Sequence, residues 1–131
     1  MRINIASIFV DDQEEALAFY RDVLGFQVSK DQVVDEAGNR WLTLVSPERP
    51  QGPELLLEPA AHPAARDFRA ALYRDGIPFT QFEVDSVAEE YRRLSERSVR
   101  FTQEPTDVGS AVIAVLDDTC GNLIQLVEVK E

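Results

Sequence analysis

The stretch Ile8-Phe-Val-Asp-Asp-Gln-Glu-Glu-Ala-Leu-Ala-Phe-Tyr-Arg-Asp-Val-Leu-Gly-Phe26 decides the fold. It reads as the end of a strand, a capped helix, a glycine turn and the start of a second strand. Asp12 can accept from the backbone N–H groups that open the helix, and Glu15, three residues on, can reach back to complete a capping box. Ala16, Leu17, Tyr20, Val23 and Leu24 recur at helical spacing and predict the buried face. Gly25 stands where a helix end wants a residue that tolerates positive φ.

The same order returns in Phe82-Glu-Val-Asp-Ser-Val-Ala-Glu-Glu-Tyr-Arg-Arg-Leu94, where Ser86 precedes Glu89 by three and Val87, Tyr91 and Leu94 supply the apolar face. Val10-Asp11 and Val84-Asp85 lie 74 positions apart. Two copies are too few for a solenoid, so a paired, pseudo-symmetric domain is expected. Asp11, Asp12, Glu15, Asp85, Ser86 and Glu89 could be mistaken for a metal cluster, but helix capping accounts for all six.

Between and beyond these copies the chain alternates strands and turns. Residues 2–10 read as a strand with Ile3, Ile5, Ser7 and Phe9 on one face and Asn4, Ala6, Ile8 and Val10 on the other. Further strands are expected at 26–34, 40–46 and 54–58, the last two separated by Pro47-Glu-Arg-Pro-Gln-Gly-Pro53, whose prolines break any ladder. That is β-α-β-β-β. A helix over 64–74, with Ala64, Phe68, Ala71 and Leu72 as its apolar face, links to a second round: strand 79–84, helix 87–96, strand 99–102, turn 104–109, strand 110–116, turn 117–121, strand 122–129.

With 131 residues the chain is long enough for one domain with a sizeable core, and 44% hydrophobic against 28% charged residues exclude a disordered chain. A net charge of −11 repels phosphate backbones, so nucleic acid is excluded as a partner. No apolar run reaches the ~20 residues of a membrane span, no signal peptide is evident, and the lone Cys120 forms no internal disulfide. The expected location is cytoplasmic, with no membrane partner.

Two segments carry a resemblance. Ala18-Phe-Tyr-Arg-Asp-Val-Leu-Gly-Phe26 resembles the first-helix signature of the vicinal oxygen chelate superfamily, and Leu116-Asp-Asp-Thr-Cys-Gly-Asn-Leu-Ile-Gln-Leu126 resembles its terminal hairpin. With the duplicated strand order, the resemblance covers nearly the whole chain. Members include glyoxalase I, extradiol dioxygenases, fosfomycin resistance proteins and bleomycin-binding proteins. The resemblance implies an α+β fold in one domain, residues 1–131: paired β-α-β-β-β modules, roughly 1–58 and 79–131, linked by a helix near 64–74 and forming a curled mixed sheet with a cup-shaped cavity. It also implies a homodimer.

In metal-dependent members, side chains from four strands hold a divalent ion that acts as a Lewis acid. Carrying those positions across gives Ile5, Glu58 (with Glu54 on the same face as a fallback), Phe79 (or Thr80 one residue on) and Gln125. Ile and Phe have no lone pair to give, and catalytic metal sites need about three protein ligands. The ligand set is incomplete, so no tightly held metal or other cofactor is expected, although a divalent metal remains a possibility.

Glu58 is the candidate for catalysis: buried in an apolar cup it would be a general base, whereas at the surface it is an ordinary strand-end carboxylate beside Pro59. Ser7, Trp41, Thr43, Phe79, Gln81 and Gln125 are the candidate ligand-binding residues. Leu42, Leu44, Phe82, Val84, Ile124 and Leu126, of opposite parity, already furnish a core face, which leaves the aromatic and amide groups to face a small molecule. His62 reads as a capping or surface residue, with a displaced metal ligand as the alternative. Cys120, with Asp117 and Asp118 just before it, reads as a structural thiol. The expected function is therefore binding of a small molecule in a glyoxalase- or bleomycin-resistance-like protein. The alternative is a metal-dependent lyase, isomerase or dioxygenase-like enzyme with an atypical site.

Overall fold

The computed structural model describes all residues, Met1–Glu131. The chain forms two compact units, Met1–Arg66 and Asp67–Glu131, and each carries one four-stranded mixed sheet, so the class is α+β. In the first unit β1 (Ile5–Val10), α1 (Gln13–Leu17), β2 (Gln27–Val33), β3 (Arg40–Val45) and β4 (Glu54–Pro59) follow in order. The linking α2 (Pro63–Arg74) comes next. The second unit continues with β5 (Thr80–Glu83), α3 (Val87–Glu96), β6 (Phe101–Asp107), β7 (Ala111–Asp117) and β8 (Leu123–Val129). The strand orders are β1-β4-β3-β2 and β5-β8-β7-β6, so the internal repeat read from sequence is a repeat of topology.

Both caps form. The Glu15 N–H donates to Asp12 Oδ1 at 2.9 Å and the Glu89 N–H to Ser86 Oγ at 3.2 Å. The second half of each expected capping box does not form, since neither glutamate carboxylate returns to the cap's own N–H. The first helix also departs from a plain α-helix. After Leu17 it widens into a π-helical segment, Ala18–Val23, in which the Leu24 N–H donates to the Phe19 carbonyl, and the Phe26 N–H closes the helix end by donating to that of Tyr20. The wide turn rotates the helix phase, so Phe19 is buried along with Ala16, Leu17 and Tyr20, while Val23 and Leu24 are only half-buried. Gly25, at φ 95°, then reverses the chain.

In the first unit Ile8, Val10, Leu42, Leu44 and Leu57 are fully buried on the face toward α1. The buried Gln13 fixes α1 there. Its Nε2 donates to the carbonyls of Arg40 (2.7 Å) and Leu57 (2.9 Å), and its Oε1 accepts from the Arg40 N–H (3.0 Å). These are backbone groups of β3 and β4, whose own ladder covers only Thr43↔Leu56 and Leu44↔Leu55. An inserted amide thus replaces the missing rungs where the two strands splay.

The second unit differs from expectation at three places. The turn expected over 104–109 is largely strand, because β6 runs to Asp107. Pro105 is tolerated on this edge strand, where the register shifts between Gln103 and Thr106. Phe79 lies just before β5, with its N–H on the Leu123 carbonyl. On α2 the expected apolar face is not the buried one: Phe68 is 55% exposed and Arg69 is buried. The reason is the hairpin after β7. Arg69 Nη1 donates to the Cys120 carbonyl at 2.7 Å, and a Cβ at Gly121 would lie 2.9 Å from that nitrogen. Gly121, at φ 95°, is needed both for the turn and for this approach. The buried Asp118 closes the hairpin by accepting from the Cys120 N–H (2.7 Å), the Asn122 N–H and Asn122 Nδ2 (both 2.9 Å).

Replacing Gln13 by Ala leaves one buried and two part-buried backbone groups without their partner. Gln13→Ala is expected to cost about 3 kcal/mol in urea unfolding. A loss below about 0.5 kcal/mol, the size of an ordinary surface change, would show that the bridge contributes nothing.

Candidate functional site

Strand register sorts the candidates onto faces. In the first sheet, Ile5, Ser7 and Phe9 on β1 stand level with Glu54, Leu56 and Glu58 on β4. Thr43 stands level with Leu56 and with Lys30 on β2, and Trp41 with Gln32. Since residues level with one another point to the same side, Ser7, Trp41, Thr43 and Glu58 share the face turned away from α1. Ser7 is exposed, Trp41 is 39% exposed, Glu58 is half-buried and Thr43 is fully buried.

That face carries a polar network. The Thr43 hydroxyl donates to Glu54 Oε1 at 2.5 Å, and Lys30 Nζ donates to Glu54 Oε2 at 3.0 Å. The Thr43 hydroxyl, and after it the Lys30 ammonium, hold the Glu54 carboxyl below the usual carboxylate range. Thr43, read from sequence as a ligand contact, is committed to this carboxylate. Lys30 escaped the sequence reading because β2 shifts register between Val28 and Lys30, which breaks the alternation that would have placed it.

In the second sheet Gln81 stands level with Gln125, and Gln125 with Val115. Gln125 Nε2 donates to Gln81 Oε1 at 2.9 Å. Together with Pro78 and Thr80, the two amides line a depression of about 350 Å³. Phe79 is drawn elsewhere, its ring meeting Phe68 of α2 edge-to-face with centroids 6.0 Å apart.

The positions that hold metal in the resembling enzymes do not come together as a donor set. Ile5 is level with Glu54, whereas Glu58 is level with Phe9, four residues further along the strand. Gln125 is bonded to Gln81. No group of three or more His, Cys, Asp and Glu side chains gathers anywhere in the chain. His62 is exposed and its Nδ1 accepts from the Ala64 N–H at 3.0 Å, which makes it the cap of α2. Cys120 is buried in the hairpin.

The lowered Glu54 pKa has a consequence for stability. A carboxyl held below its unfolded value of about 4.3 stabilises the fold above that pH and loses the contribution as pH falls through the folded value. Glu54→Gln is therefore expected to flatten the stability profile from about pH 4.3 downward, relative to wild type. Parallel wild-type and Glu54→Gln curves in acid denaturation would contradict the Thr43–Glu54–Lys30 linkage.

No helix is long and apolar enough to cross a membrane. The family model described as Glyoxalase/Bleomycin resistance protein/Dioxygenase superfamily matches residues 2–126. YurT of Bacillus subtilis (strain 168), an uncharacterised protein, is 51% identical over 128 residues, covering 98% of this chain and 99% of its own. Among solved structures, UcmS2 superposes with a TM-score of 0.83 at 31% identity over 98% of both chains. TnmS3 from Streptomyces sp. CB03234, described as an antibiotic binding protein, gives a TM-score of 0.77 at 25% identity over 99% of this chain and 97% of its own. The repeated sheet order, the matched span and these relatives lead to one conclusion: the chain belongs to the glyoxalase/bleomycin resistance protein/dioxygenase superfamily.

Proposed function

We propose that this protein binds and sequesters a small organic molecule of the antibiotic type, without a tightly held metal. The observation that carries the reading is the Gln81–Gln125 pair. Two strand-borne amides, held in register and bonded to one another, line the depression with Pro78 and Thr80. After the bond between them, donors and acceptors are left over for a ligand's carbonyl or hydroxyl groups. The donor set argues against Lewis-acid catalysis, and the likeness to an antibiotic binding protein supports sequestration. The single cysteine suits a reducing, cytoplasmic setting.

The test is thermal shift against a panel of antibiotics, with recovery of the compound afterwards. A binder at a hundredfold excess over its Kd adds about 2.7 kcal/mol, and Tm should rise by several degrees. The ligand should be recovered unchanged, with no loss of the shift in EDTA. Gln81→Leu with Gln125→Leu should weaken binding about tenfold. A compound consumed in turnover, with one metal ion bound per chain, would replace this reading by a lyase or dioxygenase-like one.

We propose further that the protein is a homodimer. β2 ends its sheet and is exposed along its whole length, an edge that association can cover. Light scattering at micromolar concentration should give twice the 14.7 kDa chain mass, and a monomer would overturn the proposal.

A further inference from the structure

Across the first sheet, on the face turned away from α1, Phe9, Glu58 and Trp41 occupy one row. Phe9 and Glu58 are level on the parallel pair β1–β4. Trp41 is the next same-face position of β3 beyond its last rung with β4, Thr43↔Leu56, as Glu58 is on β4. The ladder stops there because the Gln13 amide, bonded to the Leu57 and Arg40 carbonyls, stands between the strands on the opposite face. Glu58 and Trp41 therefore flank the stretch in which β3 and β4 have no rung.

Glu58 is half-buried, and its side chain has no hydrogen bond or ion pair in the chain. Lys30, which stands level with Thr43 on this face, is spent on Glu54. Trp41 keeps 39% of its surface exposed. An unneutralised carboxylate between two aromatic residues suits an organic ammonium or amidinium. The carboxylate supplies the counter-charge, and the ring faces attract a soft, weakly hydrated cation. It does not suit a metal ion, since the rings offer no lone pair. The net charge of −11 adds a field of the same sign.

We infer that Phe9, Glu58 and Trp41 form a subsite for a cationic nitrogen group on a flat ligand. This assignment rests on the reading of the chain as a small-molecule binder. It gives Glu58 a binding role in place of a general base.

Trp41 is the sole tryptophan, so quenching of its fluorescence reports on this row directly. Three flat tricyclic probes separate charge from shape: 9-aminoacridine (cationic at neutral pH), acridone (neutral) and acridine-9-carboxylate (anionic). In 150 mM salt, 9-aminoacridine should bind about tenfold more tightly than acridone, and the carboxylate more weakly than either. Glu58→Gln should abolish the preference for the cation while leaving acridone affinity and Tm unchanged. Glu36→Gln, in the turn between β2 and β3, removes the same charge elsewhere and should change none of the three. Equal binding of cation and neutral probe, or a preference that survives Glu58→Gln, overturns the subsite and leaves the binding function standing. Antibiotics that bind while no acridine does likewise count against the subsite alone. Failure of every probe and every antibiotic overturns both.

Discussion

The side-chain amide of Gln13 is the constraint on which the first unit depends. β3 and β4 pair directly over only two residues each, and beyond them the Gln13 amide satisfies Arg40 and Leu57. One residue therefore docks the helix, completes the backbone hydrogen bonding and sets the splay of the sheet. The internal repeat supplies the comparison. The residue 74 positions on is Val87, which follows cap Ser86 as Gln13 follows cap Asp12. In that unit β7 and β8 pair continuously from Ala111↔Val129 to Asp117↔Leu123. Where the ladder is complete, an apolar side chain suffices, and Val87 is fully buried.

This asymmetry gives the two sheets different chemistry. The second presents a closed ladder with a pair of neutral amides, Gln81 and Gln125, bonded to each other. The first presents a neutralised network, Thr43–Glu54–Lys30, beside the gap bordered by Glu58 and Trp41. Of the four positions carried over from the metal-dependent members, Ile5 and Phe79 have no lone pair to give, whereas Glu58 and Gln125 do.

Hairpin and linker show the same economy in structural roles. Asp118 gathers three N–H groups, Gly121 admits the Arg69 guanidinium, and the short Tyr73–Asp117 hydrogen bond holds the next turn of α2 to the same hairpin. That contact raises the Tyr73 pKa, because the phenol O–H donates to the Asp117 carboxylate. The sequence signature around Asp118 is thus a device for building a turn, and Cys120 is buried within it.

The primary structure by itself determined the local grammar. Caps at Asp12 and Ser86, the helix at 87–96, the alternation of Leu42 and Leu44 against Trp41 and Thr43, and the duplicated strand order all follow from spacings within one element. Those spacings survive folding because alternation and helical period are properties of the backbone. The functional arrangement needed partners distant in sequence. Gln13 is an unremarkable helix residue until β3 and β4 diverge around it. Arg69 looks solvent-bound until a glycine 52 residues on makes room for it. Glu58 shares a parity with Ile5, yet register places it beside Phe9. Only tertiary structure decides such matters, since a polar side chain's role is set by which backbone or charge it meets, and pairing across strands fixes that meeting.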